Sequence, residues 1–229
     1  MSERFYASSP LAVGPYILDG PEARHLATVS RVRVGDAVCL FNGDGLDYQA
    51  RVVAVGKREV DLDIISAEPT HRELPCRIEI AAALPKGDRA QFMIEKLTEL
   101  GVTRFVPLIC RRSVVQPGEG KREKLQRYVI EASKQCGRSV LMEIAEAQKL
   151  SEYCRTADAE VRWFAHPSPG KTTFGAATTS TAGMVGPEGG FTEEEVAEAL
   201  AAGWTAVSLG ARILRIETAA IVLAAIAAE

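Results

Sequence analysis

Ile78-Glu79-Ile80-Ala81-Ala82-Ala83-Leu84, broken by Pro85-Lys86-Gly87-Asp88 and followed by a patterned run to Gly101, is the stretch that decides the fold. Residues 78–84 are almost continuously apolar, the composition of a strand buried on both faces. Asp88 suits a helix N-cap, with Gln91 three residues on. Phe92, Ile94, Leu97 and Leu100 then mark one helical face, which Gly101 stops. The alternation repeats downstream. Arg104–Ile109, Val161–Ala165, Gly183–Val185 and Ala206–Leu209 read as strands. Lys121–Cys136 reads as a helix with Leu125, Tyr128, Val129, Ala132 and Cys136 on one face; Thr192–Ala202 and Glu217–Ala228 read as two more. Strands alternating with helices predict a mostly parallel α/β sheet.

Upstream the pattern is different. Ala37–Phe41, Tyr48–Val55 and Val60–Ile65 read as strands around the turn Asn42-Gly43-Asp44-Gly45. The last two alternate apolar and polar residues, as half-buried antiparallel strands do. This predicts a small β-barrel or meander. The polar, twice-proline segment Glu68–Pro75 marks the boundary, giving domains 1–70 and 75–229. The stretch Thr172–Ala182, rich in Thr, Ser and Ala, reads as a surface loop with no chemistry of its own.

The composition narrows the class. With 229 residues, 47% hydrophobic and 25% charged, the chain has the mix of a globular protein of one domain or two small ones. The apolar tail Ala219–Ala228 falls short of the ~20 residues a membrane-spanning helix needs. Met1–Pro10 lacks the apolar centre of a signal peptide, so a soluble cytoplasmic protein is expected. Cys39, Cys76, Cys110, Cys136 and Cys154 are widely spread, and only three histidines occur, so neither disulfides nor a metal site is expected. Cys136 has no neighbouring histidine to activate it as a nucleophile. The net charge is −3, yet His71–Arg127 carries 12 basic against 7 acidic residues, a net of +5. A local basic face of this kind binds phosphates, or simply solvates a helix.

Four segments carry chemistry. Gly186-Pro187-Glu188-Gly189-Gly190-Phe191-Thr192 joins a strand to a helix. Glycines there let a ligand approach the backbone. Glu193, Glu194 and Glu195 fill the helix's first turn, with Glu195 placed for a capping box, and would repel a phosphate. The loop suits a neutral or cationic ligand, or is a plain tight turn. Leu209-Gly210-Ala211-Arg212-Ile213-Leu214-Arg215-Ile216-Glu217-Thr218-Ala219-Ala220 also joins strand to helix. Both loops would lie at strand C-terminal ends, where α/β proteins place ligands. Arg212 and Arg215 could instead pair with surface carboxylates. Lys134-Gln135-Cys136-Gly137-Arg138 ends a helix, where cations also complement the dipole. Arg24-His25-Leu26 with Arg31-Val32-Arg33 could grip RNA phosphates, although His25 also suits a structural hydrogen bond.

In order and spacing these segments resemble the RsmE-type ribosomal RNA methyltransferases of the SPOUT superfamily. The likeness runs through Arg4-Phe5-Tyr6, His25 to Asp36, Asn42 to Gly45, Leu84 to Arg89, Glu95 to Val102, Glu131 to Arg138, Val185 to Thr192 and Leu209 to Ala219. Leu141-Met142 departs from it, since many members have a proline there. The resemblance implies a PUA-like RNA-binding β-barrel followed by a SPOUT α/β domain with a trefoil knot. It implies S-adenosylmethionine as cofactor and a homodimer with sites at the subunit interface. The implied reaction is methylation of N3 of one uridine in the 16S ribosomal RNA of the small subunit.

The resemblance also distributes roles. The cofactor would be held by Gly186, Pro187, Glu188, Gly189 and Gly190, by Leu209, Gly210, Arg212, Ile213 and Leu214, and by Thr218 and Ala219. Phe164-Ala165-His166 would form a third wall. RNA would meet Arg4, Arg24, His25, Arg31, Arg33, Lys86 and Arg89. Uridine N3 bears a proton at neutral pH, so Glu217 is the expected base, with Arg215 or Arg138 stabilising charge on the uracil. Three other readings stand beside this one: a methyltransferase acting on another RNA such as tRNA, a non-catalytic ribosome-assembly protein, and a small-molecule α/β enzyme. Only the last has no use for the N-terminal domain.

Overall fold

The computed structural model describes residues 3–115, 118, 120–167, 174 and 179–229. It divides into two compact units: residues 1–73 with 133–141, and residues 74–132 with 142–229.

The first unit holds β1 (Arg4–Tyr6), β2 (Gly14–Asp19), α1 (Gly20–Thr28), β3 (Ala37–Phe41), β4 (Leu46–Val55) and β5 (Glu59–Pro69). They form a five-stranded mixed sheet, ordered β1-β3-β4-β5-β2. β3, β4 and β5 make the expected antiparallel meander, and β1 adds to β3 in parallel. Val60, Leu62 and Ile64 alternate inward from β5 into a core with Phe5, Leu18, Leu26, Leu40 and Val52. The helix α1 escapes the sequence reading. Its Gly20-Pro21 start looks like a turn, and it buries only Ala23 and Leu26. Proline is nevertheless at home in a first helical turn, where its missing N–H has no partner to lose.

Residues 133–141 belong to the first unit, a grouping a boundary at 70–75 does not foresee. Polar contacts explain it. The Arg4 guanidinium donates to Asp47 at 2.7 Å, to the Ser139 hydroxyl at 2.7 Å and to the Arg138 carbonyl at 3.3 Å. Burial alone would raise the Asp47 pKa; hydrogen bonds from Arg4 and Ser139 outweigh it and hold the carboxyl below its ordinary value.

The second unit holds β6 (Arg77–Ala82), α2 (Arg89–Glu99), β7 (Arg104–Ile109), most of α3 (Lys121–Cys136), β8 (Glu143–Ile144), β9 (Gln148–Lys149) and α4 (Leu150–Thr156). β10 (Val161–Ala165), β11 (Ser180–Val185), α5 (Glu193–Ala201), β12 (Thr205–Val207) and α6 (Ile216–Ala227) follow. The sheet runs β12-β10-β11-β6-β7-β8, with β9 also on β7. Every pairing in it is parallel, as the apolar runs predict. Of the loop read at 172–182, residues 172, 173 and 175–178 lie outside the described residues. Ser180–Ala182 are strand, because Thr181 and Ala182 are buried and pair with β6. β12 stops at Val207, leaving Ser208 and Leu209 to the loop beyond.

Helix starts show how local chemistry is used. At α2 the expected cap does not form. Asp88 has helical dihedrals (φ −71, ψ −13) and makes no side-chain cap bond, while the Gln91 amide donates to Glu95 at 2.7 Å. A capping side chain needs extended backbone at its own residue. Phe92 is exposed; Ala90, Met93, Ile94 and Leu97 form the buried face. At α5 the capping box is complete: the Glu195 N–H donates to Thr192 Oγ1 at 3.2 Å, and the Thr192 N–H donates to Glu195 Oε2 at 2.8 Å. A Thr192→Ala change should therefore lower unfolding free energy by about 1 kcal/mol. Denaturant titration checks this, and an unchanged midpoint would show that the cap carries no stability. No helix among the described residues is long and apolar enough to cross a membrane.

Candidate active site

Because the second sheet is all parallel, its strands end on one edge. The segments leaving β12, β10, β11 and β6 lie side by side there in that order. They are Ser208–Arg215, His166, Gly186–Thr192 and Ala83–Asp88. The two glycine loops and the Phe164-Ala165-His166 wall, far apart in the chain, thus come to one place. The His166 N–H donates to the Val207 carbonyl at 3.0 Å, tying the ends of β10 and β12. The Ala83 N–H donates to the Val185 carbonyl at 3.1 Å, tying β6 to β11.

The first glycine loop is rigidly built. Gly190 adopts φ +68 and its N–H closes a turn onto the Pro187 carbonyl at 2.8 Å. A side chain at Gly186 would press the Phe191 ring, its Cβ 3.1 Å from the nearest ring carbon. Phe191 in turn meets Phe164 edge-on, ring centroids 6.0 Å apart, and Phe164 meets His166 in the same way. Arg112 donates to the Gly189 carbonyl at 2.7 Å, and the Arg111 N–H donates to Glu195 Oε1 at 2.8 Å. Sequence reasoning missed both arginines. Their signal was position: they follow β7 directly, at the same strand-end edge.

The second loop is open. Gly210 adopts φ +115, with no atom near where a side chain would begin. Ala211, Arg212, Ile213 and Arg215 are exposed, Ile213 at 93%. Arg215 is the N-cap residue of α6, and Glu217 sits in that helix's first turn. Glu217 is buried, at 5% exposure, and its Oε2 accepts no hydrogen bond. Arg89 Nη1 faces that oxygen at 3.7 Å, and Arg89 Nη2 reaches Glu188 at 3.2 Å. Thr218 is exposed beside it, and Ala219 is buried.

This edge fits S-adenosylmethionine. Gly190 and Gly210 have open space where a side chain would stand, Ile213 and Leu214 could offer an apolar surface to an adenine face, and a carboxylate oxygen short of a donor suits a cation or a proton.

The family described as an RNA methyltransferase domain matches residues 72–228, and the RNA methyltransferase PUA domain matches residues 18–65. Ribosomal RNA small subunit methyltransferase E of Bacillus subtilis is 31% identical, over 89% of this chain and 86% of its own. The chain belongs to the ribosomal RNA small subunit methyltransferase E family. The family member from Neisseria gonorrhoeae, solved bound to S-adenosyl methionine, superposes with a TM-score of 0.91 at 33% identity, covering 99% of this chain and 96% of its own. A Legionella pneumophila protein solved with bound cofactor SAM superposes with a TM-score of 0.93 at 32% identity, covering 99% and 97%.

Several cations sit differently from what the sequence suggests for this family. Arg138, expected near a target base, lies in the first unit, 4% exposed, and donates to both oxygens of Glu73 at 3.0 and 2.6 Å. Arg4, expected on RNA, has a side chain only 10% exposed and turned to Asp47 and Ser139. Arg89, also expected on RNA, faces two carboxylates. In each case a nearby acid, distant in sequence, claims the guanidinium. His25 is half-buried on α1 and edge-on to Phe5, centroids 6.0 Å apart. Arg24, Arg31, Arg33 and Lys86 are exposed, as RNA contacts need to be.

Proposed function

We propose that this chain transfers a methyl group from S-adenosylmethionine to N3 of one uridine in the 16S ribosomal RNA of the small subunit. The observation that carries the reading is the convergence of both glycine loops and the Glu217 carboxylate on one sheet edge. When bound, S-adenosylmethionine supplies an electrophilic methyl on a sulfonium. The loops at Gly186–Gly190 and Leu209–Leu214 hold it largely by backbone groups, with Phe164-Ala165-His166 as the third wall. Arg212, Thr218 and Ala219 border the same site. Glu217 would take the N3 proton as N3 bonds to the methyl carbon and the S–CH3 bond breaks, its electron pair leaving on the neutral thioether of S-adenosylhomocysteine. Arg215, exposed at the start of α6, stabilises the charge spreading onto the uracil oxygens. Arg138 does not suit that task, being buried on Glu73. Positioning donor and acceptor in line supplies the rest of the acceleration.

The exposed Arg24, Arg31, Arg33 and Lys86 serve RNA backbone contacts, the first three on a PUA-like barrel. The second unit is a SPOUT domain with a trefoil knot, and no metal takes part. The chain works as a cytoplasmic homodimer, which the half-buried apolar residues Ile221, Val222 and Ile226 of α6 support.

Label transfer from methyl-labelled S-adenosylmethionine to unmodified small subunits, naked ribosomal RNA and tRNA tests the reading. Nucleoside mass spectrometry should place the label in N3-methyluridine of the small-subunit RNA. Label in tRNA would move the substrate elsewhere. No cofactor binding at all would leave a non-catalytic RNA-binding protein.

A further inference from the structure

Arg89 opens α2, at the end of the loop that leaves β6. Its two terminal nitrogens reach different elements: Nη2 lies 3.2 Å from Glu188 in the glycine loop, and Nη1 lies 3.7 Å from Glu217 in the first turn of α6. The Glu188 contact by itself explains little, since those side chains are 40% and 33% exposed, and exposed ion pairs contribute little. The Glu217 side is different. That side chain is 7% exposed, and its Oε2 accepts no hydrogen bond. A buried carboxylate needs a compensating charge, and the guanidinium supplies one. A planar guanidinium can hold two carboxylates at once, which fixes one relative to the other.

We infer that Arg89 is a positioning residue, setting the Glu217 carboxylate against the cofactor loop through Glu188, and is not an RNA contact. The inference rests on Glu217 being the base.

Single-turnover methyl transfer to small ribosomal subunits, at saturating S-adenosylmethionine and subunits, tests it. The variants are Arg89→Ala, Arg89→Lys, Glu217→Gln and the Arg89→Ala/Glu217→Gln pair. Arg89→Ala should slow transfer roughly 10- to 100-fold. It should leave the affinities for S-adenosylmethionine and for RNA unchanged, and should add nothing in the Glu217→Gln background. Arg89→Lys should recover only part of the rate, because an ammonium cannot span both carboxylates. The proposal is overturned if Arg89→Ala keeps the saturated rate but weakens RNA binding, with a salt slope lower by about 1. It is also overturned if the Arg89→Ala loss adds fully to that of Glu217→Gln, or if only thermal stability falls. A Glu217→Gln enzyme as fast as wild type would overturn the base assignment itself, a result separate from all of these.

Discussion

A Glu217→Gln enzyme is expected to bind S-adenosylmethionine normally and to transfer its methyl group about 10²- to 10⁴-fold more slowly. Glutamine keeps the shape of the side chain, so the packing of this 5%-exposed residue survives. What it loses is the capacity to take a proton. The wild-type oxygen Oε2 is buried and accepts no hydrogen bond from the protein, so the fold leaves its capacity to accept a proton unused. Calorimetry of cofactor binding and single-turnover transfer separate the two contributions. A weakened affinity with an unchanged rate would mean that Glu217 holds the cationic part of the cofactor instead. No change in either would remove it from the chemistry.

A Gly183→Val chain is expected to lose about 3 kcal/mol of stability, roughly 6–12 °C in the unfolding midpoint of the second unit. Gly183 lies within β11, where α6 packs on the sheet. A Cβ there would stand 2.6 Å from Leu223 Cδ2 and 3.1 Å from Ile80 Cδ1. Leu223 and Ile80 are both fully buried, so neither has room to give way. Relief must come from lifting α6, the helix whose first turn carries Glu217. Transfer should therefore fall even in the fraction that stays folded. Thermal unfolding followed by circular dichroism checks the stability change, and a loss below about 0.5 kcal/mol would show that α6 is seated less closely on β11.

The sequence disclosed what is encoded locally. Ile78–Leu84 announced a strand buried on both faces because its residues are almost continuously apolar. Gly101, Gly137 and Gly203 marked helix ends, each with positive φ. Thr192 with Glu195 declared a capping box by spacing alone. Both loops were legible as candidate sites because each carries glycine where the chain passes from a strand to a helix, at Gly186, Gly189 and Gly190 and at Gly210. Elements without enough residues to show a period were not: α1 buries two side chains, β8 and β9 have two residues each, and α4 is seven residues long. The roles of the cations were the least legible. Arg4 and Arg89 were expected on RNA and Arg138 beside the target uracil, and what decided where each guanidinium lies was a carboxylate distant in the chain: Asp47, then Glu188 with Glu217, then Glu73. No local pattern encodes those pairings, since the folded backbone creates them.

The most direct test is a crystal structure of this chain with S-adenosylmethionine. The account predicts the adenosine between the Gly186–Gly190 and Leu209–Leu214 loops, with the donor methyl group directed to the space beside Glu217. Cofactor at the opposite edge of the sheet, in the cavity of about 230 Å³ lined by Arg77, Glu79, Arg104 and Tyr153, would contradict it.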